Sequence, residues 1–234
     1  MGYLGTSFSE ALALIAAADP DVISAVGTSV YVSICSIIAA AVIGIPLGYL
    51  MATRVFPGKA IVTTLLQTLM ALPTVVVGLI GYALFTHNGP LGPMGLLYTP
   101  VAMIAGETIL ILPVVTSLSL SATSSINAEV RETALTLGAK PLQAAGAVMR
   151  EGRFAYMTAL AAGFGRAIGE VGIAMMLGGN IRGATRTMTT AIALETSKGE
   201  FALGLALGMI LLAVALAVNV FIRSLQARSG EAGE

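Results

Sequence analysis

Apolar residues follow one another along most of the chain in five long runs, which short polar segments separate. The runs span about residues 27–52, 60–85, 99–120, 154–179 and 201–222. A helix needs about 20 apolar residues to cross the hydrocarbon layer of a membrane, so each run is long enough to span it. The pattern predicts an all-α integral membrane protein in which residues 27–222 form one transmembrane domain.

The segment before the first run, residues 1–26, carries a different pattern. Ser7 and Glu10 have the spacing of a capping box, and the apolar residues after them recur at helical spacing. We expect a short extracytoplasmic amphipathic helix on the membrane surface. Asp19 and Pro20 are then predicted as the N-cap and first residue of the next helix. The segment has no Lys or Arg, so it does not resemble a secretory signal.

Composition agrees with a membrane location. Hydrophobic residues make up 56% of the chain and charged residues 10%, with a mean hydropathy of +0.92. Soluble domains contain about 25% charged residues. The single cysteine, Cys35, excludes an intrachain disulfide, and the single histidine, His87, has no neighbouring ligands for a metal site. We therefore expect no metal site, and no catalytic motif is evident.

The basic residues predict the orientation of the chain. Eight of them lie in one set of connections and three in the other. The first set holds Arg54, Lys59, Arg131, Lys140, Arg150, Arg153, Arg223 and Arg228, and the second Arg182, Arg186 and Lys198. Because basic residues concentrate on the cytoplasmic side, we expect the N-terminus outside and the polar tail 223–234 in the cytoplasm.

A charged stretch, residues 127–153, interrupts the apolar pattern on the cytoplasmic side. Asn127 is placed to cap a first short helix, with Val130, Ala134 and Leu137 on one face. Gly138 follows where a left-handed residue ends a helix, and Pro141 is placed to open a second one. The stretch is either a solvated loop or a structured surface that meets a soluble partner.

Its residues resemble the EAA loop of ABC importer permeases. Glu132, Thr133 and Ala134 are followed by Gly138 at the family's spacing, although Arg150 and Glu151 stand where the family has Leu-Pro. The resemblance implies a coupling helix that docks into an ATP-hydrolysing subunit through Glu132, Thr133, Ala134, Gly138 and Ala139. The chain itself has no phosphate-binding loop, so ATP and Mg would be bound by that partner. Two ATPase copies would need two such loops, which implies a permease homodimer.

Two further regions resemble permeases for sulfate, molybdate and tungstate, most closely the tungstate type. Arg166, Gly169, Glu170 and Gly172 match an R-x-x-G-E-x-G motif, and Thr185-Arg186-Thr187 matches a T-R-T motif. The resemblance implies import of a tetrahedral oxyanion delivered by an extracytoplasmic binding protein. It implies a translocation path or gate and an outer loop. The path residues are Leu72, Pro73, Thr74, Val75, Gly78, Arg166 and Glu170, and the outer-loop residues are Asn180, Arg182, Thr185, Arg186 and Thr187.

Several alternatives stay open at this point. Pro73 predicts either a kink that lines the path or a kink used in packing. The outer loop either offers donors to an oxyanion or pairs its basic residues with Glu195 and Glu200. Arg166 and Glu170, four residues apart on one predicted helix face, form either a salt bridge or a pore site for the anion. An ion-coupled secondary carrier is a further alternative, although five runs do not divide into two equal repeats.

Overall fold

The computed structural model describes residues 3–126 and 128–230, and within them the chain is helical with no strand. The α-helices are α1 (Tyr3–Ala16), α2 (Pro20–Thr53), α3 (Lys59–Met70), α4 (Thr74–Phe85), α5 (Pro100–Ser125), α6 (Ala128–Thr136), α7 (Pro141–Glu151), α8 (Arg153–Ile168), α9 (Met188–Lys198) and α10 (Phe201–Gly230). A 3₁₀ turn covers Gly92–Met94 and a π-helical turn covers Ala174–Gly178.

Helices α2 and α5 form the centre of the bundle. Gly44 and Gly48 allow their close approach, because a Cβ at Gly48 would lie 2.7 Å from the Thr116 carbonyl oxygen. Glycines four residues apart favour such close contact between membrane helices. Helix α8 packs against the same pair, with Gly163 seated against Ile37.

The start of α2 is formed as predicted, and the segment before it contains the predicted short helix, although that helix begins earlier than its predicted cap. The Asp19 carboxylate accepts the amide of Asp21 at 2.9 Å, and Pro20 is the first helical residue. Helix α1 already includes Ser7, so the predicted capping box at Ser7 and Glu10 is wrong. Helix α2 begins at Pro20, as its cap predicts, and so extends before the apolar run that starts near residue 27.

Three helices in the described part of the chain are long and apolar enough to cross a membrane: α2, α5 and α10. Helices α3 and α4 form a fourth candidate that is bent by 94° at the break between Met70 and Thr74. The continuous helix predicted for residues 154–179 is wrong, because α8 ends at Ile168. The predicted loop 180–200 is also partly wrong, since it contains α9.

Helix α10 continues through Gly230, so most of the predicted polar tail is helical. Residues 231–234 and Asn127, the predicted cap of α6, lie outside the described residues.

Candidate functional site

The charged cytoplasmic stretch is two short helices joined by a tight turn. Gly138 has φ +88°, and the Ala139 amide donates to the Ala134 carbonyl at 3.0 Å, so the left-handed end of α6 is confirmed. Pro141 is the first residue of α7, also as predicted. The α6–α7 pair is therefore an ordered helical hairpin rather than an irregular loop.

One side of the α6–α7 pair packs against the helical bundle, and the other side is exposed. Val130 packs against a cluster of Tyr49, Ala145 and Val148. Leu137, predicted on the same face as Val130, is instead 83% exposed, and Leu142 is 85% exposed. The Leu137 prediction is wrong because α6 ends at Thr136, before the turn. Two leucines thus flank Gly138 on an open surface.

A cavity of about 330 Å³ lies between this pair and the ends of α2 and α5. Its lining includes Thr53, Thr123, Arg131 and Glu132. Glu132 is exposed, and the described residues give it no ion-pair partner. Thr133 and Ala134 lie beside it on α6.

The predicted gate residues stand at the break between α3 and α4. Leu72 and Pro73 form the break, and Thr74 begins α4. Gly78 lies against the π-helical turn, since a Cβ there would be 3.0 Å from Met176 Cβ. The break is sharper than the kink predicted from Pro73, because α4 turns to pack against residues 172–178.

A second break lies beside the first. After α8 ends, residues 169–172 lead into the π-helical turn, and a Cβ on Gly172 would be 2.7 Å from Thr74 Oγ1. Both breaks therefore meet at Gly172, with Val75 in contact there. Discontinuous helices of this kind are typical of substrate paths in transporters.

The predicted pairing of Arg166 with Glu170 is absent from the described residues. Arg166 is exposed on α8, whereas Glu170 lies beyond the end of α8 and is buried. Glu170 Oε1 accepts the Ile173 amide at 3.2 Å, and its carbonyl accepts the Thr189 hydroxyl at 2.6 Å. The two side chains do not share a helix face because the helix stops between them.

The outer loop is held by contacts within the chain. The Arg182 guanidinium binds the Asp21 carboxylate, with Nε to Oδ1 at 2.6 Å, and this hydrogen bond raises the pKa of Arg182. Arg186 lies 3.7 Å from Glu195, which also binds Lys198. The pairing alternative is thus confirmed for Glu195, while Arg182 pairs with Asp21, which the sequence did not indicate.

The threonines of the loop shape its turn. Thr185 is fully buried and donates to the Gly178 carbonyl, and Thr187 caps α9 by accepting the Thr190 amide at 3.2 Å. Asn180 has φ +54° and donates to the Thr190 carbonyl. The Arg186 Nε and Asn180 Oδ1 atoms are buried without a hydrogen-bond partner in the described residues.

The family described as "Binding-protein-dependent transport system inner membrane component" matches residues 44–230. The chain belongs to this family. It is therefore a multi-span inner-membrane permease of the ABC importer class, as the EAA resemblance implied.

Individual relatives match over most of their length. A probable anion ABC transporter permease protein of Haloferax volcanii is 44% identical over 84% of this chain and 87% of the relative. The tungstate uptake system permease proteins TupB of Peptoclostridium acidaminophilum and Campylobacter jejuni are 38% and 41% identical. Each match covers 97% of this chain, and they cover 99% and 95% of the relatives.

A solved structure supports the fold of the permease. The crystal structure of an amino acid ABC transporter with histidines aligns with a TM-score of 0.65 at 14% identity. The alignment covers 93% of this permease and 97% of that chain. The predicted all-helical ABC permease fold is confirmed.

Proposed function

We propose that this permease is the membrane subunit of an ATP-driven importer of tungstate. The observation that carries the proposal is the similarity to tungstate uptake permeases at 38% and 41% identity over nearly the full chain. Molybdate and sulfate are the alternative substrates, because they are tetrahedral divalent oxyanions of the same chemistry.

The α6–α7 pair is proposed to dock the ATPase. It presents Glu132 and the exposed Leu137 and Leu142 around a helix end held by Gly138. An exposed apolar patch with a polar rim is typical of a protein contact site. Binding and hydrolysis of ATP with Mg occur in the partner, and two ATPase copies meet two permease copies.

A homodimer is supported by the exposed polar side chains of the membrane helices. Gln67 is exposed on α3, a helix with no buried residue in the single chain, and Arg166 is exposed on α8. Lipid contact at these positions is costly, by about 2.5–3.5 kcal/mol for an arginine at the centre of the membrane. A second copy and a central path for the anion would remove both side chains from lipid.

The path is proposed to run past the two breaks, with Leu72, Pro73, Thr74, Val75 and Gly78 at the gate. Arg166 supplies a donor that suits an anion with only acceptor oxygens. A separate extracytoplasmic binding protein delivers the anion near the outer loop of Asn180, Arg182, Thr185, Arg186 and Thr187.

Uptake into proteoliposomes tests the substrate. The permease is reconstituted with its ATPase and binding protein, and tungsten inside the vesicles is measured by mass spectrometry. We expect ATP-dependent uptake of tungstate, and competition by excess molybdate or excess sulfate measures its selectivity. Uptake of sulfate with no tungstate uptake would contradict the proposal, and uptake driven by an ion gradient without ATP would favour the secondary carrier.

A further inference from the structure

Glu107 is a buried carboxyl group in the middle of the apolar bundle. It is 2% exposed on α5, about 11 Å along the helix from Pro100 at ~1.5 Å per residue. Its Oε2 atom has no hydrogen-bond partner among the described residues. An ionised carboxylate with an unpaired oxygen is strongly disfavoured at such a place, where no cation among the described residues compensates it.

Two polar side chains, Ser36 and Glu170, lie near Glu107. The Ser36 hydroxyl on α2 faces the carboxyl group, and this hydroxyl itself donates to the Ile104 carbonyl at 3.4 Å. Ser36 therefore keeps a lone pair free to accept a hydrogen bond from Glu107 when that carboxyl group is neutral. Glu170, the charged group facing Glu107, is itself an acid, so it repels a second negative charge.

The other ionisable groups on the elements around α5 are engaged elsewhere or exposed. Lys59 of α3 donates to the carbonyl oxygens of Ala52 and Arg54. Tyr82 of α4 hydrogen-bonds with Tyr98. Arg166 of α8 is exposed, and Asp21 of α2 binds Arg182. Among the described residues, no cation pairs with Glu107.

The neighbour Glu170 differs from Glu107 in its hydrogen bonding. Its Oε1 accepts the Ile173 amide at 3.2 Å, at the start of the segment that leads into the π-helical turn. Gly106, next to Glu107, packs against the same segment, since a Cβ there would lie 2.7 Å from Ile173 Cγ2. The two acids thus lie on either side of the contact between α5 and the second helix break.

We propose that Glu107 is a proton-binding site of the permease, where one proton is taken up from water to form the neutral carboxylic acid. The proton makes it possible for α5 to pack against the break after α8 without a second buried negative charge beside Glu170. This site is separate from the ATPase-docking surface and from the gate, and its test needs no transport activity.

Infrared spectroscopy of the purified permease at pH 7 tests the protonation directly. We expect a carboxylic acid C=O band in the wild type that Glu107→Gln removes. Glu195→Gln is the matched control, because Glu195 is also buried but binds Arg186 and Lys198. That control should leave the band unchanged. A wild-type spectrum without an acid band overturns the proposal even if the Gln variant fails to fold.

The pH dependence of unfolding gives a second measurement. Glu107 in the folded permease holds its proton at pH values where the unfolded chain has lost it. The stability of the wild type relative to Glu107→Gln should therefore fall as pH rises above about 4.3, by up to about tenfold in the unfolding equilibrium constant per pH unit. If the ratio of the unfolding equilibrium constants of the wild type and Glu107→Gln stays constant from pH 5 to pH 9, the proposal is wrong.

The variant Glu170→Gln tests whether the negative charge of Glu170 affects the protonation of Glu107. Removal of that negative charge should leave the Glu107 acid band in place at pH 7 but let the band disappear at a lower pH than in the wild type. Loss of the band at the same pH in both proteins would contradict the electrostatic contact on which the proposal rests.

Discussion

Gly172 and Thr74 bring the two helix breaks into contact. A Cβ on Gly172 would lie 2.7 Å from Thr74 Oγ1 and 3.1 Å from the Val75 amide nitrogen. The Val75 contact is with backbone, which cannot shift as easily as the end of a flexible side chain. The glycine thus permits the approach of two discontinuous segments inside the membrane domain.

Gly172→Ala should therefore separate the breaks. We expect a loss of about 1–3 kcal/mol in stability, as for other overpacked sites, together with reduced uptake. Thermal unfolding and proteoliposome uptake measure the two effects. Gly165→Ala is the control, since its Cβ would meet nothing within 4 Å. A Gly172→Ala variant as stable and active as the wild type would show that the contact is not required.

Variants of the ion pair between Arg182 and Asp21 distinguish two roles of Arg182. It either positions the outer loop or contacts the anion or its binding protein. The pair joins residues 161 positions apart and is exposed, so we expect little change in stability from Asp21→Asn or Arg182→Gln. If the pair only positions the loop, both variants should change uptake equally. A defect in Arg182→Gln alone would instead indicate that Arg182 contacts the anion or its binding protein.

Docking of the ATPase can be tested without disturbing the permease fold. Glu132→Ala and Leu137→Ser should reduce co-purification of the ATPase, because both side chains are exposed on α6 or its end. Val55→Ser is the matched control, since Val55 is 98% exposed in a different connection. Equal ATPase recovery in all three variants would exclude this surface.

Gly138 should act through its backbone. Gly138→Ala meets nothing within 4 Å but must adopt φ +88°, which costs about 1–2 kcal/mol for a residue with a side chain. We expect weaker ATPase binding from a displaced turn, with the bundle unchanged by circular dichroism. Full ATPase binding by this variant would show that the turn geometry is not needed.

The sequence predicted what local chemistry determines. Asp19, Gly138 and Pro141 act on their own helix ends, so their roles followed from neighbouring residues. The break after α8 could not be predicted from neighbouring residues, since the apolar pattern continues through it. The end of this helix depends on packing against α4. The Asp21–Arg182 pair was also missed, because nothing local relates positions so far apart.

The orientation of the permease remains a prediction from its basic residues. Ser9→Cys and Asn88→Cys, each in a Cys35→Ser background, should react with an impermeant thiol reagent added to intact cells. Ser229→Cys should react only after the cells are opened. Labelling of the Ser229 position in intact cells would reverse the proposed topology.

Arg166 and Glu170 provide the final test, because the fold separates two residues that the sequence placed together. Arg166 is exposed on α8, so Arg166→Gln should leave stability nearly unchanged, whereas Glu170→Ala removes the acceptor of the Ile173 amide and should cost about 1–3 kcal/mol. Without a salt bridge, the effects should add within about 0.3–0.5 kcal/mol in the double variant. Partial recovery of stability in the double variant would indicate that Arg166 and Glu170 do form a salt bridge in the wild type. Uptake then separates the roles: Arg166→Gln should reduce it and Arg166→Lys should retain part, because a cation facing the path still attracts the oxyanion.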